Sequence, residues 1–122
     1  GTYKEQFYHG LMLGLVLMLK RGYEIISNNF SGKGRYDLLL KPKNLEKRKE
    51  GIILEFKIAD FGNNLSENEI KEKLEKECET ALQQIEEKEY ASVLKNAGIN
   101  NILKVGMAFL GKEVEVKFER EM

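Results

Sequence analysis

Apolar residues recur at helical spacing from residue 3 to about residue 20. Phe7, Leu11, Leu15 and Met18 set the stripe, and Leu13 and Val16 widen it until little of the helix could be exposed. The pattern predicts a central helix with Met12 and Met18 in the core, ended at Gly22. Residues 23–30 have strand-like composition and run into Ser31-Gly32-Lys33-Gly34, where two glycines permit the positive φ of a tight hairpin. A second strand over about 35–41 stops at Pro42. The charged segment from Lys43 to Glu50 then reads as a solvated loop before a third apolar run, Gly51 to Ile58.

Ser66-Glu67-Asn68-Glu69 matches a capping box, in which serine and glutamate satisfy each other's backbone N–H groups at a helix start. The helix it opens carries Ile70, Leu74, Cys78, Ala81, Leu82 and Ile85 on one side, and that side should pack on a sheet. Helical spacing continues or restarts through Tyr90, Val93, Leu94 and Ala97, with Gly98 as its C-terminal cap. Asn101 to Leu110 reads as a mostly apolar strand, Gly111-Lys112 as a turn, and Val114 to Phe118 as an alternating edge strand. Strands one to three should form an antiparallel meander, and the strand after the helical stretch can return parallel by a right-handed crossover. The expected fold is therefore a helix-flanked mixed sheet of the α/β (α+β) kind, in one domain over 1–122.

Two positions break the apolar strands. Asp37 lies in Gly34-Arg35-Tyr36-Asp37-Leu38-Leu39-Leu40, and Glu55 and Lys57 lie in the third run, two apart and so on one face. Charges inside a buried strand are costly unless something pairs them. Pairing strands two and three would bring Asp37 beside Glu55. With the main-chain carbonyl of Phe56 they would offer oxygen ligands to Mg²⁺ or Mn²⁺, and Lys57 would point to the same site. A bound divalent ion acidifies water and offsets charge developing on a phosphorus atom, and a nearby ammonium can orient the water and the phosphoryl oxygens.

Composition narrows the picture. Hydrophobic residues make up 42% and charged residues 33%, which fits a soluble globular domain and not a disordered tail. Twenty Lys and Arg balance twenty Asp and Glu, so no global field advertises a polyanion partner and any basic patch must be local. The single cysteine, Cys78, excludes an internal disulfide and a cysteine-rich zinc site; on the apolar stripe it reads as inert core of a cytoplasmic protein. The apolar run from Gly10 to Leu19 is about half the ~20 residues a membrane span needs and lacks a signal peptide's cleavage pattern. The opening Gly-Thr, without an initiator methionine, predicts a domain excised from a larger chain.

These residues resemble the PD-(D/E)XK nuclease superfamily, whose restriction-endonuclease-like core has the order helix, three-strand meander, helix, strand. Asp37 corresponds to that family's aspartate and Glu55-Phe56-Lys57 to its (D/E)XK; Tyr36 stands where the family often has proline. Gly34 to Asp37, Glu55 to Lys57, Gln84-Ile85-Glu86-Glu87-Lys88-Glu89-Tyr90 and Gly106-Met107-Ala108-Phe109 look closer still to the nuclease-like domain at the C-terminal end of bacterial and archaeal AAA-ATPase-like proteins. The resemblance implies metal-dependent cleavage of DNA, an ATPase-like domain in the parent chain, and supporting roles for Glu5 on the first helix and Gln84 on the second. His9 shares a helix face with Glu5; it, Arg35 and Tyr90 are candidates for touching substrate.

Alternatives stay open at this stage. Asp37, Glu55 and Lys57 could be a structural charge cluster, Glu5 an ordinary first-turn acid, and His9 a surface or core histidine. The Lys/Glu pattern from Glu67 to Lys88 reads most simply as a solvated face. A catalytically silent nuclease-like module for nucleic-acid or protein binding is the competing function. The edge strand near Val114 to Phe118 would be the segment to pair if the chain forms a homodimer.

Overall fold

The computed structural model describes residues 10, 11, 13–15, 17–31, 34–47, 50–62, 64–111 and 113–121. Glu5, His9, Met12 and Val16 thus lie outside the described residues. The described residues at 10–19 are helical and are called α1. Then follow β1 (Tyr23–Ser31), β2 (Arg35–Pro42), β3 (Glu50–Ile58), α2 (Glu67–Glu87), α3 (Tyr90–Asn96), β4 (Asn101–Leu110) and β5 (Glu113–Arg120). The five strands form one sheet in the order β1-β2-β3-β4-β5. The first three pair antiparallel, β4 runs parallel to β3, and β5 returns antiparallel at the edge. This is the mixed sheet expected from the sequence.

Strand alternation divides the core. Tyr36, Leu38, Leu40, Leu54 and Phe56 are buried together on one face, with Leu19 of α1 packed against them. Tyr36 stacks on Phe56 at 4.6 Å between ring centroids, and Phe56 meets Phe109 edge-on at 5.4 Å. The other face carries Leu39, Ile53 and Ile102, which pack with Ile85 of α2, Leu94 of α3 and Ile99. Farther along it, Leu74, Cys78 and Ala108 make a small cluster with Ala59.

The capping box is formed: the Glu69 N–H donates to Ser66 Oγ at 3.2 Å and the Ser66 N–H to Glu69 Oε1 at 3.2 Å. Gly98 sits at φ +88 just past α3. It donates to the Lys95 carbonyl while the Ile99 N–H reaches the Leu94 carbonyl, closing the helix with paired reverse bonds. Gly106 lets α2 lie directly on β4, since a Cβ there would stand 2.6 Å from the Cys78 carbonyl oxygen.

One expectation is corrected. The first helix is not enclosed: Leu13, Leu17 and Met18 are 61, 61 and 75% exposed. Leu11, Leu15 and Leu19, one helical turn apart, are half-buried. Among the described residues the helix therefore packs by this single stripe, and Leu13, expected to widen the buried face, and Met18, expected in the core, are exposed instead.

Candidate active site

Asp37 and Glu55 are direct partners in the β2–β3 ladder, and the next pair outward is Arg35 with Lys57. Because every second side chain shares a face, these four charges form a square on the side of the sheet that α2 and α3 cover. Behind each acid, on the other face, stand the stacked rings of Tyr36 and Phe56, which hold the strand backbones in place. Asp37 is 7% exposed and Glu55 1%. Two acids so buried and adjacent need cations or protons.

The cation that reaches both comes from the end of α2. Lys88 Nζ donates to Asp37 Oδ2 at 3.0 Å and to Glu55 Oε1 at 3.1 Å. The Tyr90 hydroxyl donates to the same Asp37 Oδ2 at 2.8 Å, and Arg35 donates to Glu55 Oε1 at 3.3 Å. On a continuous helix Lys88 and Tyr90, two residues apart, would face different directions. Glu89 between them takes the left-handed conformation at φ 55, which ends α2 and starts α3. That break turns both side chains onto Asp37.

The electrostatics split the pair. Burial works to raise Asp37, but the adjoining Glu55 and the bonds from Lys88 and Tyr90 hold its carboxyl below the usual value. Burial and the adjoining Asp37 push Glu55 up to about 7. Burial lowers Lys88, yet its bonds to the two carboxylates win and raise it, so it stays an ammonium.

The donors all converge on one oxygen of each acid. Asp37 Oδ1 and Glu55 Oε2 are buried with no hydrogen-bond partner. Orphaned buried acceptors are rare, and here two lie on cross-strand neighbours. Hard oxygens of this kind suit Mg²⁺ or Mn²⁺, which keeps several waters and needs only one or two carboxylates. Among the described residues no group of three His, Cys, Asp or Glu side chains gathers to hold a metal, so an ion there would have only the pair to draw on among such groups.

The remaining predicted residues fall as follows. Lys57 is on the expected face, but its Nζ lies 2.9 Å from Glu77 of α2. Gln84 is half-buried on the helix face shared by Glu77, Ala81 and Lys88, while its neighbour Gln83 is exposed and bonds Glu87. Phe56 lies in the central strand in register with Tyr36 and Met107. Cys78 is fully buried, donates to the Glu115 carbonyl at 3.1 Å, and is pushed by burial up to about 11, so its thiol is inert.

The sequence reading missed Lys88 by treating the Lys/Glu pattern of α2 as solvated. Four of those charges instead clasp other elements: Lys88 the two acids, Glu77 Lys57 of β3, Glu79 Lys117 of β5, and Glu86 the buried Lys104 of β4. Spacing carried a signal, since Lys88 is four residues beyond Gln84 and eleven beyond Glu77, all on one face. A cavity of about 210 Å³ is lined by Ile85, Glu86, Glu89, Ala91, Ser92 and Lys104 and includes none of the candidate residues. No described helix is long and apolar enough to cross a membrane.

No curated protein and no solved structure matches the chain. A family model does, over residues 3–119, nearly the whole length. With the mixed sheet, the facing acids and that match, the chain belongs to the PD-(D/E)XK nuclease superfamily.

Proposed function

We propose that the chain is a metal-dependent phosphodiesterase domain acting on DNA. The observation that carries this reading is the pair of cross-strand carboxylates, Asp37 and Glu55, buried and each with one oxygen free of hydrogen bonds. Asp37 Oδ1 and Glu55 Oε2 would hold Mg²⁺ or Mn²⁺, with the Phe56 carbonyl as a further oxygen ligand. The ion would supply an acidified water and an electrostatic partner for a phosphate.

The chain's own residues supply the rest. Tyr90 and Arg35 fix the carboxylate rotamers through Oδ2 and Oε1, leaving the other oxygens free. Lys57, at the edge of the charged square, is the group to orient a water and bind phosphoryl oxygens once it leaves Glu77. Gln84 sits on the helix face toward the site, and Glu5 and His9 are assigned supporting and substrate-side roles from the resemblance alone. The likeness of the Gly34 to Asp37 and Gln84 to Tyr90 stretches to domains of AAA-ATPase-like proteins supports placing an ATPase-like domain in the parent chain.

The test is cleavage of single-stranded, double-stranded and branched DNA by the purified chain with Mg²⁺ or Mn²⁺, beside Asp37→Asn. Activity lost in the variant supports the reading. No cleavage of any substrate by the wild type counts against it.

A second reading, a silent nuclease-like module that binds nucleic acid or protein, draws on one observation: both lysines near the acids are engaged, Lys57 with Glu77 and Lys88 with the acids themselves. Calorimetry with Mn²⁺ separates the two. Carboxylate-dependent binding belongs to the first and absence of binding to the second.

A further inference from the structure

Lys88 stands in the one place where its charge matters most to a divalent ion. Its Nζ bridges oxygens from two strands, 3.0 Å from Asp37 and 3.1 Å from Glu55. With Arg35 also on Glu55, two cations already serve the two acids, so the cluster carries no uncompensated negative charge. A dication added to a balanced cluster gains little net attraction, and an ammonium at such range in a partly buried site repels it. Lys88 has somewhere to go: its side chain is 38% exposed, whereas those of Asp37 and Glu55 are 11% and 1%. Its Nζ also lies 5.6 Å from the centroid of the Tyr90 ring, a contact that does not depend on the acids.

We propose that Lys88 is the resident counter-ion of the Asp37–Glu55 pair and that divalent-cation binding displaces it toward the mouth of the site. This rests on the reading of the two acids as metal ligands. It distinguishes Lys88 from Tyr90 and Arg35, which orient the acids without having to leave.

The test is Mn²⁺ binding by calorimetry to wild type, Lys88→Met and Asp37→Asn, with no DNA present. The proposal expects Lys88→Met to bind Mn²⁺ at least about tenfold more tightly than wild type, a modest share of the repulsion expected from a charge at this range. Asp37→Asn should lose binding. If Lys88→Met binds no tighter while Asp37→Asn loses binding, Lys88 is an orienting group, the proposal fails, and the metal reading survives. If Asp37→Asn binds Mn²⁺ as wild type does, the metal reading fails and this inference with it.

Should Lys88→Met fail to fold, the wild type answers instead. Lys88 is labelled with an acetylating reagent, with and without saturating Mg²⁺, and read by peptide mass spectrometry. Faster labelling of Lys88 in Mg²⁺ supports displacement, and unchanged or slower labelling overturns it.

Discussion

Asp37 and Glu55 face each other across one rung of the β2–β3 ladder, yet their acidities are driven apart. Each takes two donors on one oxygen, but Asp37 is held below the usual carboxylate value, while burial and its neighbour lift Glu55 to about 7. The split follows from the ladder itself: the rung fixes both acids at a distance where like charges repel, and the α2–α3 break supplies donors mostly to one of them.

A pH signature follows for stability. Glu55 titrates near 4.5 in the unfolded chain and at about 7 when folded, so its folded state is favoured below 4.5 and that advantage is lost as pH rises through 7. Glu55→Gln removes the titration. The melting temperature of the variant minus that of wild type should therefore climb between pH 5 and pH 8 without metal. Thermal melts over that range check it, and a flat difference would show Glu55 to be an ordinary acid. On the proposed metal reading Mn²⁺ would compete with the same proton, so wild-type Mn²⁺ affinity should rise over the same window.

Lys57→Ala should abolish cleavage and leave the fold nearly untouched. The Lys57–Glu77 pair is more than a third exposed on the lysine side. Such pairs contribute about 0–1 kcal/mol, so urea midpoints should barely move. Cleavage that survives the change would remove Lys57 from the mechanism.

Gly106→Ala probes how the site is held. Gly106 is in register with Glu55, and the added Cβ would meet the Cys78 carbonyl at 2.6 Å, a backbone atom that cannot swing aside. The helix must lift from β4, at a cost of about 1–3 kcal/mol. Because α2 also carries Lys88, Mn²⁺ affinity should change together with stability. Denaturation and calorimetry on the same sample check both, and an unaltered midpoint would mean that α2 does not rest on β4 as described.

Much of this architecture is legible in the chain. Alternation, the Ser66 capping box and Gly98 predict the strands, the start of α2 and the end of α3 within a residue or two, because each is fixed by local chemistry. Asp37 and Glu55 stand out for the same reason: acids in apolar strands announce a cost that something must offset. What the sequence hides depends on tertiary placement. The exposure of Leu13, Leu17 and Met18 follows from α1 using only one stripe, which an all-round apolar helix does not reveal. Lys88 is hidden among alternating lysines and glutamates, and its role depends on the left-handed turn at Glu89, a residue type that gives no warning of positive φ.

Tyr90→Phe gives the sharpest contrast with Lys88. The Tyr90 hydroxyl is a neutral donor, bonded to Asp37 Oδ2 at 2.8 Å. Removing it takes away one of the bonds that hold Asp37 below its usual pKa, so the Asp37 carboxyl should titrate higher, as read by carbonyl ¹³C NMR. The acid also loses part of its orientation. Groups that orient metal-binding carboxylates typically cost about 10–100-fold in metal affinity when removed. Tyr90→Phe should therefore weaken Mn²⁺ binding, whereas Lys88→Met should strengthen it, although both side chains bond the same oxygen. The opposite signs come from charge: a neutral donor orients Asp37 without competing for it, and an ammonium does both. Calorimetry on the two variants side by side checks this, and a shift of the same sign in both would mean that their shared geometry, not their difference in charge, governs the site.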